Sequence, residues 1–174
     1  MSVKADLNLR AMNKDDWPLM EQWLKREHVR RWLGLPENWL SEIRAVNGDP
    51  SAWVRHYVAQ LGSEPIGFAQ AYECARTEPG LPWQDEPPGT YGIDYFIGEL
   101  KYMGLGLGNE LVKLICNQLP DNAWHVIADP DPDNARSIRV LKKSGFVLDP
   151  ANGLYKRAIK DSIFLYLKNK DMVV

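Results

Sequence analysis

The sequence predicts an α/β domain, a mixed and mostly antiparallel sheet flanked by helices. Three observations predict it. Short runs rich in β-branched and aromatic residues (53–61, 66–74, 90–97 and 123–128) alternate with stretches whose apolar residues recur three and four apart (17–24, 109–119 and 134–144). Gly62-Ser-Glu-Pro65 separates two of the strand-like runs and makes them an antiparallel hairpin. The chain has 174 residues, 45% hydrophobic and 25% charged, which is enough for one well-filled core and too little for two, so a single domain over residues 1–174 is expected.

In order, residues 7–12 alternate apolar and polar as a first strand and end at Asn13, a helix cap with Asp15 and Asp16 in the turn behind it. Trp17, Leu19, Met20, Trp23 and Leu24 form the apolar stripe of the next helix, and Pro18 is tolerated because it lies in the opening turn. Residues 28–39 read as a short helix broken near Gly34 and Pro36, and residues 39–46 as another, ended by Asn47-Gly-Asp-Pro50. After the hairpin, the segment 75–89 collects four prolines, two glycines, Trp83 and several acids without periodicity, a long loop of the kind that forms lids. Residues 123–128 read as a strand and Asp129-Pro-Asp-Pro-Asp133 as a turn. The helix over 134–144 has Ile138, Val140 and Leu141 on its apolar side and stops at Gly145. Residues 146–148 and 162–167 read as the last strands, with a polar insertion between them that turns at Asn152-Gly153.

The stretch 90–119 carries the chemistry. A strand leads into Met103-Gly-Leu-Gly-Leu-Gly108 and then a helix. Glycines let the backbone come close to a ligand, and the helix start offers unpaired N–H groups at the positive end of its dipole, which suits a phosphate or pyrophosphate. No Lys-Ser/Thr pair follows, as a P-loop needs, and the spacing is G-x-G-x-G where a dinucleotide fold has G-x-G-x-x-G. Taken alone, a glycine-rich turn that binds nothing has the same pattern.

Composition narrows the partners. The formal net charge is −2, with no block of Lys and Arg interleaved with aromatics, so no nucleic-acid partner is expected. Cys74 and Cys116 match no metal-ligand spacing, and His28, His56 and His125 are scattered, so no metal is expected and a reducing cytoplasm fits best. Residues 1–6 lack the apolar core of a signal peptide and no apolar run reaches membrane-crossing length; a cytoplasmic protein without a membrane partner is expected.

On these motifs the chain resembles the GNAT superfamily of acetyl-CoA-dependent N-acyltransferases. Residues 103–108 look like its Q/R-x-x-G-x-G/A pyrophosphate loop, and Asp129-Pro-Asp-Pro-Asp-Asn134, Ile138 and Lys142-Lys-Ser-Gly-Phe146 look like its second motif. Glu64-Pro-Ile-Gly-Phe-Ala-Gln70, Tyr91-Gly-Ile-Asp94 and Asp129-Pro130 resemble the aminoglycoside 6'-N-acetyltransferase branch. The resemblance implies acetyl-CoA as cosubstrate, held by Met103, Gly104, Leu105, Gly106, Leu107, Gly108 and Asn134, with a backbone N–H near Phe96 and Ile97 polarising the thioester carbonyl. It implies a cationic small-molecule amine as the acceptor, direct transfer in a ternary complex, and Asp94 as the group that accepts the amine's proton or holds the ammonium in place. Asp129 would contact an amino group of the substrate, or it caps the turn before Asn134. Trp32 and Trp83 fall where the branch places aromatic walls, and either could equally fill core. Glu73, Glu78, Asp85 and Glu86 stand with Asp94 against the single base Arg76, which makes an acidic cleft or merely a solvated loop.

Two departures stand out. Met103 replaces the usual Gln or Arg, which removes a side-chain contact to pyrophosphate but leaves the backbone donors. Leu141 occupies the place where the family often has a tyrosine to protonate the leaving thiolate, so water, another tyrosine such as Tyr155, or no acid serves. Rival readings are a GNAT enzyme acting on siderophore-precursor, polyamine or protein amines, and an acyl-CoA sensor without turnover. The apolar run 163–167 suits either core or a pairing edge, so both a monomer and a homodimer fit.

Overall fold

The computed structural model describes residues 6–159. Strand β1 (Leu7–Ala11) leads to a turn closed by Asn13, whose side chain accepts from Asp15 N while its own N–H donates to Asp16. Arg10 grips the Asp16 carboxylate with two hydrogen bonds of 2.7 and 2.6 Å, tying strand to turn. Three helices follow: α1 (Trp17–Lys25), α2 (Glu27–Leu33) and α3 (Pro36–Val46). The break expected near Gly34 and Pro36 is a full stop: Gly34 takes a positive φ of 74° and Pro36 opens α3, so residues 36–39 belong to α3.

Among the described residues the sheet has seven strands in the order β1-β2-β3-β4-β5-β7-β6. Strands β2 (Val54–Leu61), β3 (Glu64–Glu73) and β4 (Thr90–Ile97) pair antiparallel, and β4 pairs in parallel with β5 (His125–Ala128), the one parallel pair among the described residues. β7 (Tyr155–Ala158) runs antiparallel between β5 and β6 (Val147–Leu148). β7 lies inside the segment expected to be a polar insertion. Only Tyr155 of its four residues is buried and its Lys156 pairs with Asp149 and Glu86, so the strand has no apolar alternation to betray it and forms by filling the gap between β5 and β6. The strand expected over 162–167 lies outside the described residues.

Alternation along the strands sorts two cores. On one face Val58 and Phe68 pack under α1–α3 with Met20, Trp23, Leu24 and Ile43. On the other, Ala69, Ala71, Ile93 and Val126 pack under α4 (Leu107–Asn117) and α5 (Ala135–Lys143), with Leu111, Ile115 and Leu141. The two later helices approach closely where Gly108 faces Val140; a Cβ at 108 would lie 3.0 Å from a Val140 methyl.

Candidate active site

The site starts from an interruption in the sheet. β4 is registered with β5 only over Thr90–Gly92, while its pairing with β3 continues from Glu73–Tyr91 to Gly67–Ile97. Beyond Gly92 the edge of β4 that faced β5 therefore has no strand partner, and a buried backbone edge requires partners; Ile97 O has one in His28 Nε2 at 3.1 Å. Gly98 N donates to Ile66 O, so by antiparallel alternation the N–H groups of Phe96 and Asp94 face β3 and those of Tyr95 and Ile97 face the opening. Of the two expected positions for a carbonyl-polarising donor, Ile97 offers its N–H to the gap and Phe96 spends its own on the sheet.

A cleft of about 1380 Å³ fills this gap. Its floor is 93–97 of β4 and its far wall Ala128 and Asp129 at the end of β5. Gly104 and Gly106 take φ of 81° and 75°, left-handed values that L side chains resist, and Gly106 is the N-cap of α4. The start of α4 is thereby turned toward the cleft, with Met103, Gly104, Gly106, Leu107 and Gly108 lining it. Leu105 is half exposed and does not line it. Asn134 caps α5, its side-chain oxygen accepting from Ser137 N at 3.1 Å, which leaves Nδ2 as its donor toward a ligand. Sequence reasoning missed Arg136, Arg139 and Lys143, which line the same wall. Their spacing of three and four along α5 was the available signal. Arg136 rests its guanidinium 3.8 Å from the Met103 sulfur, so a cation stands beside the loop position that lacks Gln or Arg.

A second cavity, about 850 Å³, lies against the α3 face of the sheet. Trp39, Trp53, Tyr72 and Trp83 give it aromatic walls, with Trp83 held by a bond from its Nε1 to Thr77 Oγ1 at 2.9 Å and packed 5.5 Å from the Tyr72 ring. Thus part of the 75–89 loop folds inward as a wall. Glu86 bonds to Lys156 and Asn152, and Asp85 is exposed; neither lines the cavity. Glu73 does not line it either and lies 3.9 Å from Arg76. The acids that do are Glu42, Glu78, Asp94 and Asp129. Trp32 lines the larger cleft, with Arg31 stacked 4.3 Å over its ring.

Asp94 and Asp129 line both cavities, so the two spaces meet between them. Burial pushes the Asp94 carboxyl up to about 6; a hydrogen bond from Gln70 Nε2 at 2.8 Å opposes this, and Glu42 and Asp129 add to it. Burial raises Asp129 as well. Gln70 stands directly across from Asp94 in the β3–β4 register, and Tyr72 fits against β4 because Gly92 has no side chain: a Cβ there would lie 2.0 Å from the Tyr72 ring. Sequence reasoning passed over Gln70, Tyr72 and Glu42 as site residues; Gln70 meets Asp94 only through the β3–β4 register, set across the irregular segment 74–89. Among the described residues no cluster of three or more His, Cys, Asp or Glu could hold a metal ion, and no helix is long and apolar enough to cross a membrane.

Basic groups and open helix N–H groups at one end of the cleft, and a carboxylate near neutrality at the other, suit acyl transfer from a pyrophosphate-bearing thioester to an amine. Comparison with known proteins agrees. The acetyltransferase (GNAT) domain family matches residues 13–152. The aminoglycoside N(6')-acetyltransferases type 1 of Klebsiella pneumoniae and Serratia marcescens are 32% identical over 153 residues, 80% of this chain and 73% of theirs. The structure of the aminoglycoside acetyltransferase AAC(6')-Ib with coenzyme A and kanamycin superposes with a TM-score of 0.73 at 30% identity, covering 87% of this chain and 94% of that one. Its complex with ribostamycin and coenzyme A gives 0.74 at 29%, over 88% and 93%. The chain belongs to the GNAT acetyltransferase family.

Proposed function

We propose that this chain, read as one domain throughout, transfers acetyl from acetyl-CoA to the 6'-amine of an aminoglycoside. The observation that carries the reading is the position of Asp94, shared by the cleft that fits acetyl-CoA and the acidic, aromatic-walled cavity beside it. Pyrophosphate sits at the start of α4 under Arg136 and Arg139, and the pantetheine arm takes the edge of β4 left without a strand partner, where the Ile97 N–H polarises the thioester carbonyl. The acceptor enters as a polycation. Glu42, Glu78 and Asp129 draw its ammonium groups, while Trp53, Tyr72 and Trp83 cover the apolar faces of its sugar rings.

An alkyl amine is mostly protonated near neutral pH and cannot attack in that form. Asp94, with its affinity for a proton raised to about 6, holds the ammonium as an ion pair, takes one proton and passes it to water to leave a neutral amine, and takes a second proton as the nitrogen lone pair bonds to the carbonyl carbon. The relatives' acceptors support the choice of an aminoglycoside, since AAC(6')-Ib is seen with kanamycin and with ribostamycin. Both described cysteines are free and buried, which fits work in a reducing cytoplasm, and either a monomer or a homodimer accommodates a site built within one chain.

The test is an acceptor panel followed by thiol release from acetyl-CoA: kanamycin, ribostamycin, spermidine, an ornithine hydroxamate and a peptide N-terminus. The reading predicts the highest kcat/KM on the aminoglycosides, at least about a hundredfold above the other amines. Preference for any other amine overturns it.

A further inference from the structure

When the amine displaces coenzyme A, the C–S bond breaks and its electron pair moves to sulfur, so a hydrogen-bond donor aimed at that sulfur lowers the barrier. Leu141, fully buried and purely hydrocarbon, supplies none. Among the described residues, the hydroxyl groups that line the acetyl-CoA cleft are those of Tyr95, Tyr102 and Ser137. The Tyr102 hydroxyl is engaged outside, donating to Glu64 at 2.5 Å. Tyr155 is buried on β7 and does not line the cleft.

Tyr95 differs from both. It follows Asp94 on β4, and its side chain crosses the α5 side of the sheet so that its Oη lies 3.3 Å from Ser137 Oγ. Ser137 is held in turn by the bond from its N–H to the Asn134 side chain, and it sits one helical turn before Leu141 on the same face of α5. The chain thus brings a phenol from β4 to the stretch of α5 where Leu141 offers only methyl groups. The acetyl group must lie where Asp94 joins the two cavities, and the sulfur lies one bond back toward coenzyme A, in the space that Tyr95 lines.

We propose that the Tyr95 hydroxyl, oriented by Ser137, donates the hydrogen bond that receives the departing sulfur. As the C–S bond breaks, the amine's proton passes to Asp94, the Tyr95 O–H turns to the sulfur, and Ser137 donates to the Tyr95 oxygen. Water later supplies the proton that converts the thiolate to free coenzyme A, and Asp94 returns its proton to water, so nothing further is consumed. Burial pushes the Tyr95 phenol up to about 12 despite the Ser137 hydrogen bond, which keeps it a donor across the working pH range.

The inference rests on the acetyltransferase reading but not on which amine is acetylated, and its test uses no acceptor. The thiol of bound coenzyme A is titrated by the ultraviolet absorbance of the thiolate in wild type, Tyr95→Phe and Ser137→Ala. A donor to the charged form lowers the thiol pKa, so Tyr95→Phe raises it and cuts the thiolate fraction about tenfold at a given pH. Ser137→Ala, which leaves the ring in place, shifts it the same way by less. An unchanged thiol pKa in Tyr95→Phe protein that still binds coenzyme A overturns the proposal, and so does an unchanged value in Ser137→Ala should Tyr95→Phe fail to bind. Failure of kanamycin as acceptor, with these shifts intact, would count against the substrate alone.

Discussion

Replacing Asp94 with Asn separates what this carboxylate does for catalysis from what it costs the fold. Its proton affinity in the folded chain is raised from 3.8 to about 6, with burial as the first cause. Each pH unit of such a shift is worth about 1.4 kcal/mol, so at neutral pH the ionised carboxylate destabilises the native state by up to about 3 kcal/mol. The sign follows from proton counting. Between the two values the native chain binds more proton than the unfolded chain, so stability falls as pH rises through that window and stays lower above it. An Asn side chain does not ionise and can still accept the Gln70 hydrogen bond. Asp94→Asn is therefore expected to be more stable than wild type by about 1–3 kcal/mol at pH 8, with the gap closing as pH falls toward 4. Urea unfolding at a series of pH values measures this, and a melting-temperature gain of roughly 2–4 °C per kcal/mol is the thermal counterpart. A gap that does not change with pH, or an Asn variant less stable at pH 8, would refute the reasoning.

Other consequences are smaller. Wild-type kcat/KM should fall about tenfold per pH unit as pH drops below about 6, where Asp94 protonates in the free enzyme, and a pH–rate profile checks it. Gly106→Ala should raise the coenzyme A dissociation constant and cost roughly 1–2 kcal/mol of stability, because the loop glycine at φ 75° is replaced by a residue that resists it; calorimetric titration reads the first and denaturation the second. Trp83→Ala should raise KM for the acceptor several-fold and leave KM for acetyl-CoA near its wild-type value, since the ring lines only the acceptor cavity. Gly92→Ala should destabilise the fold by about 1–3 kcal/mol, as the added Cβ would overlap the Tyr72 ring.

What could be read from the chain divides by sequence distance. The glycine loop, Asp94 and Asn134 lie on elements with strong local signatures, and their arrangement around one cleft follows from strand, loop and helix order. Gln70, Glu42 and Tyr72 reach the acceptor cavity from a neighbouring strand and a distant helix. Nothing local distinguishes Glu42 from other exposed acids on an amphipathic helix, and only the paired register of β3 and β4 sets Gln70 against Asp94. The acids of 75–89 show the reverse case: similar in sequence, they part in space, with Glu78 at the cavity and Glu86 bound to Lys156 of β7. Trp32 on α2 and Trp83 in the 75–89 loop are alike candidates for aromatic walls, yet one lines the coenzyme A cleft and the other the acceptor cavity. β7 stayed hidden because Lys156 and Arg157 break its apolar pattern and its pairing with β5 is non-local, although the expected Asn152-Gly153 turn does join it to β6 as a hairpin.

The most direct test of the account is thiol release from acetyl-CoA with kanamycin at neutral pH, for wild type and Asp94→Ala, with coenzyme A binding measured in parallel. The account predicts turnover by wild type and a loss of about 10²–10⁴-fold in the variant with coenzyme A binding retained. Equal turnover in the two proteins, or none in wild type that binds coenzyme A, would contradict it.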